Sequence, residues 1–138
     1  MPPVTVTIET LVDAPIDRVW ACWTTAEDVC GWNAASPDWH TPRSTIDLRV
    51  GGSFSHRMEA RDGSEGFDLE GTYLHVDPPT ALDFVLADDR VVTTRFEPVG
   101  DQTRVVESFE TEDENSVELQ RAGWQAILDN FKAYVERT

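Results

Sequence analysis

Residues 115–138 read NSVELQRAGWQAILDNFKAYVERT and carry the strongest helical pattern in the chain. The apolar side chains recur at intervals of three, four and seven, which places them on one face of an amphipathic helix. That face comprises Val117, Trp124, Ile127, Leu128, Phe131, Tyr134 and Val135, and the opposite, polar face comprises Gln120, Arg121, Gln125, Asp129, Lys132 and Glu136. Asn115 and Glu118 are suited to cap its start. We therefore expect a long helix whose apolar face needs a partner.

Strand-like runs separated by turn signals precede this helix. Gly51-Gly52, Asp62-Gly63, Asp88-Asp89 and Gly100-Asp101 are turns of hairpin length, so the sheet should be antiparallel. The expected strands are residues 44–50, 53–61, 66–76, 82–86, 91–97 and 103–109, with a first strand at residues 4–11, where apolar and polar side chains alternate. Residues 33–42, NAASPDWHTP, are predicted to form a loop.

Two short helices are predicted between the first strand and that loop. Pro15 suits the first turn of one helix, and Val19 and Trp23 follow at helical spacing. Thr24 and Glu27 have the spacing of a capping box for the second helix. The element order is one strand, two short helices, about six strands and a long helix, which is an α+β arrangement. Because only the last helix is long enough to cover the sheet, a curved antiparallel sheet of about six or seven strands should wrap around it.

Composition favours one domain spanning residues 1–138 and argues against nucleic-acid or membrane binding. The chain has 138 residues, of which 40% are apolar, enough for one core. Eleven Lys and Arg face 26 Asp and Glu, and the net charge of −15 repels phosphate backbones and anionic lipid headgroups. No basic leader and no apolar run of about 20 residues occurs, so we expect a cytoplasmic location.

Short motifs follow one another in a fixed order along nearly the whole chain. They are Ala14-Pro15 with Val19-Trp20 and Trp23, the segment 24–32, Gly51-Gly52-Ser53-Phe54, Gly71-Thr72-Tyr73-Leu74 leading into Val76-Asp77-Pro78-Pro79, Leu82 with Phe84, Thr103-Arg104-Val105, and Gly123-Trp124 with Leu128 and Tyr134. In this order and spacing the chain resembles the activator-of-Hsp90-ATPase-like branch of the START-like superfamily. The resemblance implies the helix-grip fold, also called Bet v 1/START-like, with a cavity between the curved sheet and the long helix. It also implies an apolar or lipid-like ligand, or a chaperone as partner, since the eukaryotic namesake helps to stimulate the Hsp90 ATPase.

Aromatic and apolar side chains on the inner faces of the predicted strands are the candidate ligand site. Phe54, His56 and Met58 share one face because they sit at period two. The full set is Trp39, Phe54, His56, Met58, Phe67, Leu69, Tyr73, Phe84, Phe96, Trp124 and Leu128, with Phe131 approaching from the same helix and His40 beside Trp39 at the mouth. The alternative is that these side chains fill a solid core, and that His56 is a core histidine satisfied by a neighbour.

Other kinds of site have little support in the sequence. Three histidines and two cysteines show no metal-ligand spacing, no cofactor motif is present, and Cys22 and Cys30 are expected to be buried free thiols. Neither a nucleophile elbow nor a phosphate-binding glycine loop occurs, so no catalytic residue is assigned. Asp68 and Glu70 are expected to face solvent, but burial of either beside His56 would favour an enzyme.

Three functions are compatible with these sequence features. The leading hypothesis is a domain that binds an apolar small molecule in a cavity. The second is a protein-interaction module of the Hsp90-cochaperone type, and the third is a cyclase- or hydrolase-like enzyme that acts inside the cavity. Either a monomer or a homodimer is compatible with the sequence.

Overall fold

Seven strands form one antiparallel sheet in the order β1-β7-β6-β5-β4-β3-β2. The computed structural model describes residues 3–138. The strands are β1 (Thr5–Val12), β2 (Trp39–Ile46), β3 (Ser53–Ala60), β4 (Gly66–Asp77), β5 (Ala81–Leu86), β6 (Val91–Val99) and β7 (Gln102–Glu110), and the helices are α1 (Ile16–Thr24), α2 (Ala26–Trp32) and α3 (Val117–Arg137). The sheet curls into a half-barrel around α3, so the predicted α+β helix-grip fold is confirmed.

The core lies where α3 packs against the β1–β7 end of the half-barrel. Alternate residues of β7 point inward, and Val105 and Phe109 are fully buried there. Leu128, Phe131 and Val135 of α3 are buried on the same side of the sheet. Burying side chains of this size contributes about 1.5–3 kcal/mol each, which explains why the amphipathic face predicted from residues 115–138 packs here.

The start of α3 differs from the sequence-based expectation. Ser116, and not Asn115, is the N-cap, and its Oγ accepts a hydrogen bond from the Leu119 N–H at 3.1 Å. Gln120, expected on the polar face, is buried and binds the backbone of the preceding turn. These hydrogen bonds connect the first turn of α3 to the segment that follows β7.

The second strand also differs from the expectation. It begins at Trp39, inside the predicted loop, and ends at Ile46, before Val50. Thr41 is buried, and its hydroxyl donates to the Asn33 carbonyl oxygen at 2.6 Å, which fixes the strand against the end of α2. Residues 47–52 form a longer connection than the predicted two-residue turn, and Gly51 adopts a φ of +84°, which favours glycine.

Two smaller predictions in the helical region were wrong. The N-cap of α2 is Thr25, without a side-chain cap, and the Thr24 hydroxyl donates instead to the Trp20 carbonyl oxygen at 2.8 Å within α1. The pattern of Thr24 and Glu27 is therefore no capping box. Cys22 is buried as expected, whereas Cys30 is half-buried, and both thiols are free.

Candidate functional site

A cavity of about 300 Å³ lies between the inner face of the sheet and α3. Strands β2 to β5 and β7, the helices α1 and α2, and three residues of α3 all contribute to its wall. The lining residues are Trp23, Trp32, Asn33, Ile46, Phe54, His56, Met58, Phe67, Leu69, Tyr73, Leu82, Phe84, Arg90, Glu107, Glu112, Asn115, Gln120, Trp124 and Ile127. Twelve of the nineteen are apolar or aromatic and seven are polar or charged, and a mainly apolar lining is typical of a site for a small molecule.

Eight of the eleven candidate residues from the sequence lie in this wall, namely Phe54, His56, Met58, Phe67, Leu69, Tyr73, Phe84 and Trp124. Three do not. Phe96 packs in the closed core, with its ring centroid 5.5 Å from that of Trp20 and 5.6 Å from that of Trp23. Leu128 is buried in the same core. Trp39 lies outside the cavity, 6.1 Å from the ring of Phe67, beside a second and more polar pocket that His40 also lines.

The aromatic cluster on β3, β4 and β5 shapes the sheet side of the cavity. The ring of Phe54 lies 4.8 Å from Phe84 at a steep angle and 5.4 Å from Tyr73. It also lies across Gly71, where an added Cβ would come within 2.6 Å of it. The absence of a side chain at Gly71 therefore leaves the room that the Phe54 ring occupies in the cavity wall.

His56 faces the cavity from β3 as a neutral imidazole. Its Nδ1 is 2.8 Å from the Ser44 Oγ on β2, and its ring lies 4.9 Å from Phe54. Burial lowers the pKa of His56 to about 4, although a backbone hydrogen bond at Ser55 acts in the opposite direction. His56 is therefore uncharged at neutral pH, and a neutral ring can accept or donate a hydrogen bond but attracts no anion.

Glu107 is a lining residue that was not predicted from the sequence. It lies on β7 between Val105 and Phe109 on the inward face, and only 6% of its surface is exposed. Burial raises its pKa to about 8, so the carboxyl group is mostly protonated at neutral pH. Its position could have been derived from the two-residue period of the predicted strand 103–109, in which Glu107 alternates in phase with Val105 and Phe109.

Polar groups gather where the chain passes from β7 into α3, at the edge of the cavity. The Gln120 side chain donates to the carbonyl oxygens of Glu112 and Asn115 at 3.0 and 2.8 Å, and its Oε1 accepts from the Glu112 N–H at 2.9 Å. Arg90 pairs with Asp88 at 2.8 Å. Backbone groups thus satisfy the Gln120 amide, and Asp88 pairs with Arg90, so both polar side chains at this edge have partners within the protein.

The residues that would have favoured an enzyme are not brought together. Asp68 and Glu70 are exposed on β4, and Asp68 lies 3.6 Å from Arg57. Burial also raises the pKa of the Cys22 thiol, which makes it a poor nucleophile. Among residues 3–138, no group of three His, Cys, Asp or Glu is placed to hold a metal ion. What the site can do is enclose an apolar molecule and offer it a few hydrogen bonds.

No helix within the described part of the chain is long and apolar enough to cross a membrane.

The family model described as activator of Hsp90 ATPase homolog 1-like protein matches residues 13–136. None of the curated proteins matches the chain.

Solved structures show the same fold at high similarity. An AHSA1-like protein from Aeromonas hydrophila is 46% identical with a TM-score of 0.92, over 97% of this chain and 93% of that one. A protein from Cytophaga hutchinsonii is 42% identical with a TM-score of 0.83, over 96% and 92% of the two chains. A protein from Nitrosomonas europaea is only 18% identical, yet its TM-score is 0.82 over 97% and 95%, so it shares the fold alone.

Proposed function

The chain belongs to the activator of Hsp90 ATPase homolog 1-like family, and from that membership we propose that it encloses one apolar small molecule between the sheet and α3. Family and fold are those of a ligand-binding or protein-interaction domain in general. The observation that carries the more specific proposal is the cavity of about 300 Å³ beside α3, with a wall that is mainly aromatic and aliphatic.

The size and the lining of the cavity support an apolar ligand. A volume of this order suits a molecule of two or three fused rings and lies at the lower end of ordinary ligand pockets. Each Å² of apolar ligand surface removed from water contributes about 25 cal/mol, so a molecule that buries roughly 200 Å² gains about 5 kcal/mol before the entropic cost of binding. Because 5 kcal/mol corresponds to a Kd of about 0.2 mM at best, such a ligand is expected to bind in the millimolar range unless polar contacts add to its affinity.

A fluorescent apolar dye tests the proposal directly. N-phenyl-1-naphthylamine should become brighter on binding and should raise the melting temperature, because a ligand that binds only the folded state stabilises it. Ile127→Trp on α3 fills the cavity from the helix side and should abolish both effects.

Leu119→Trp is the matched control for that variant. Leu119 lies on the same helix but is 60% exposed and outside the cavity wall, so the dye should bind this variant as it binds the wild type. Equal binding of the dye to the Ile127→Trp variant and to the wild type would place the dye on the surface and would count against the proposal.

A role as a chaperone cofactor is the second candidate, and the family description supports it. It requires an exposed surface that docks on the chaperone, and apolar side chains such as Val50 and Leu74 are 62% and 49% exposed. Addition of the purified chain to the Hsp90 of the same host would then raise its ATPase rate. An unchanged rate, with no complex on a sizing column, would rule this function out.

A further inference from the structure

The carboxyl group of Glu107 makes no hydrogen bond or ion pair with the part of the chain that the structure describes. Only 6% of the residue is exposed, and no donor or cation among residues 3–138 pairs with its oxygen atoms. Burial alone accounts for its raised pKa. Its cross-strand neighbours on the inner face are Ile8 of β1 and Thr94 of β6. The Thr94 hydroxyl is fully buried and likewise has no partner. Buried polar groups are normally hydrogen-bonded, so a carboxyl group that lines a cavity without any partner calls for an explanation.

Core packing does not explain a glutamate at this position. The other inward residues of β7, Val105 and Phe109, are apolar, and an apolar side chain at 107 would avoid the desolvation cost of an unbonded carboxyl group, about 1–3 kcal/mol. Glu107 instead belongs to the cavity wall, whereas Thr94 does not. A molecule in the cavity can therefore reach the carboxyl group and leave Thr94 covered.

The charge state of Glu107 determines which chemistry would satisfy it. With a pKa of about 8 the group is a neutral acid at pH 7, so it has an O–H to donate. No cation stabilises the ionised form, and the carboxyl group therefore keeps its proton unless the solution is alkaline. An acceptor oxygen on the ligand would complete this hydrogen bond in a medium of low dielectric constant, where hydrogen bonds are strong.

The other ionisable groups in the cavity wall do not change charge near neutral pH. Burial lowers the pKa of His56 to about 4, and burial raises the pKa of Tyr73 well above its ordinary value. Arg90 forms an ion pair with Asp88. Desolvation alone would raise the pKa of Glu112, but hydrogen bonds from the backbone N–H groups of the two residues Glu114 and Asn115 outweigh it and hold that pKa low. Ionisable side chains of β1 and α3, such as Glu9 and Arg121, lie on outer faces.

We propose that Glu107 anchors the ligand: as a neutral carboxylic acid it donates a hydrogen bond to a carbonyl oxygen of a ketone, lactone or amide on an otherwise apolar molecule. This inference rests on the proposed function, because it requires a ligand in the cavity. It narrows the ligand class to neutral molecules with an oxygen acceptor, and it makes binding sensitive to alkaline pH, since the donor disappears when Glu107 ionises.

Two probes that differ in one carbonyl group test the anchor. 1-Tetralone and tetralin have nearly the same shape, and both are measured by quenching of the tryptophan fluorescence, since Trp23, Trp32 and Trp124 line the cavity. We expect wild-type protein to bind 1-tetralone roughly tenfold more tightly than tetralin at pH 6.5, the effect of one buried hydrogen bond. This preference should disappear as the pH rises through about 8.

Two substitutions separate the anchor from the cavity. Glu107→Gln keeps a donor that cannot ionise, so it should preserve the preference for 1-tetralone and lose its pH dependence. Glu107→Leu removes the donor, and it should bind tetralin at least as tightly as the wild type does while losing the preference. Retained tetralin binding shows at the same time that the Leu variant is folded.

The remaining outcomes distinguish failure of the Glu107 anchor from failure of the proposed cavity. Equal affinity of the wild type for both probes would overturn the anchor but would leave the proposed apolar cavity intact. Absence of binding of both probes would overturn the proposed function and the anchor with it. Affinity for 1-tetralone that rises, or stays constant, between pH 6.5 and 9 in the wild type would show that Glu107 is not the donor.

Discussion

The indole ring of Trp124 on α3 stacks on the phenyl ring of Phe109 on β7, with the ring centroids 4.2 Å apart and the planes 7° from parallel. This contact sets the distance between helix and sheet close to the point where the chain enters α3. Phe109 is fully buried, whereas Trp124 is half-buried and also lines the cavity. The stack therefore acts as a spacer that keeps the helix above the sheet and leaves the volume beside it open.

Removal of this spacer should destabilise the protein. Trp124→Ala deletes the stacked ring, and we expect the free energy of unfolding to fall by about 2–3 kcal/mol, less than for a fully buried tryptophan because Trp124 is only half-buried. Urea unfolding measures the change. Leu119→Ala, on the exposed side of the same helix, is the control and should lower stability by less than about 0.5 kcal/mol. Equal losses in the two variants would contradict a spacer role.

Two glycine positions should respond to alanine with opposite signs. A Cβ at Gly71 would lie 2.6 Å from the Phe54 ring and 2.7 Å from the Val85 carbonyl oxygen, so Gly71→Ala should cost about 1–3 kcal/mol. At Gly123, inside α3, a Cβ would meet nothing within 4 Å. Gly123→Ala should therefore stabilise the protein by about 0.5–1 kcal/mol through helix propensity. Thermal unfolding of both variants checks the two signs, and a neutral Gly71→Ala would show that the Phe54 ring can move aside.

The sequence predicted the architecture well where the period of apolar residues was unambiguous. The helical pattern of residues 117–137 and the alternation of Val4, Val6 and Ile8 each has a single reasonable interpretation. β2 is different, because it is an edge strand with little regular alternation between buried and exposed residues. Its start at Trp39 is fixed by tertiary contacts with β3 and α2, and no local pattern encodes these.

The sequence predicted which side chains face inward, but it did not predict which of them line the cavity and which pack in the closed core. Period two places Phe96 on the inward face as correctly as it places Phe54 or Phe84. Whether an inward side chain meets solvent space or another ring depends on what crosses above it, and the two α1 tryptophans, Trp20 and Trp23, cover Phe96. The inward orientation of Glu107 could be predicted in the same way. The lack of a partner for its carboxyl group could not, because it depends on elements that are distant in sequence.

Acid should weaken the protein through His56. In the folded state burial lowers its pKa to about 4, whereas the unfolded chain has the ordinary value of 6.5. Between these values only the unfolded state takes up the proton, so the contribution of His56 to stability falls as the pH drops through this window, by up to about 3 kcal/mol. His56→Asn retains a hydrogen-bonding group for Ser44 and removes the titration. Urea unfolding at pH 7 and pH 4.5 isolates this contribution: the stability of the variant relative to the wild type should be higher at pH 4.5 than at pH 7, because Glu107 titrates alike in both proteins.

The control for that experiment is His75→Asn. His75 is exposed on β4, outside the cavity, so its replacement should leave the acid-induced loss of stability as it is in the wild type. If the two variants behaved alike, the loss would have to come from carboxylates elsewhere in this acidic chain, and not from His56.

A rise in pH should lower the stability of the protein through Glu107. Burial raises its folded-state pKa from 4.5 to about 8, so above pH 4.5 the unfolded chain releases a proton that the folded protein retains. The contribution of Glu107 to stability therefore falls as the pH rises from about 5 to about 8. Glu107→Gln removes this titration, and it should exceed the wild type in stability by a few kcal/mol at pH 8, with a difference that shrinks toward pH 5.

Glu97→Gln is the control, because that side chain is 68% exposed on β6 and should show no such trend. A constant difference between Glu107→Gln and wild type across this range would show that burial does not raise the pKa of Glu107 in the folded protein.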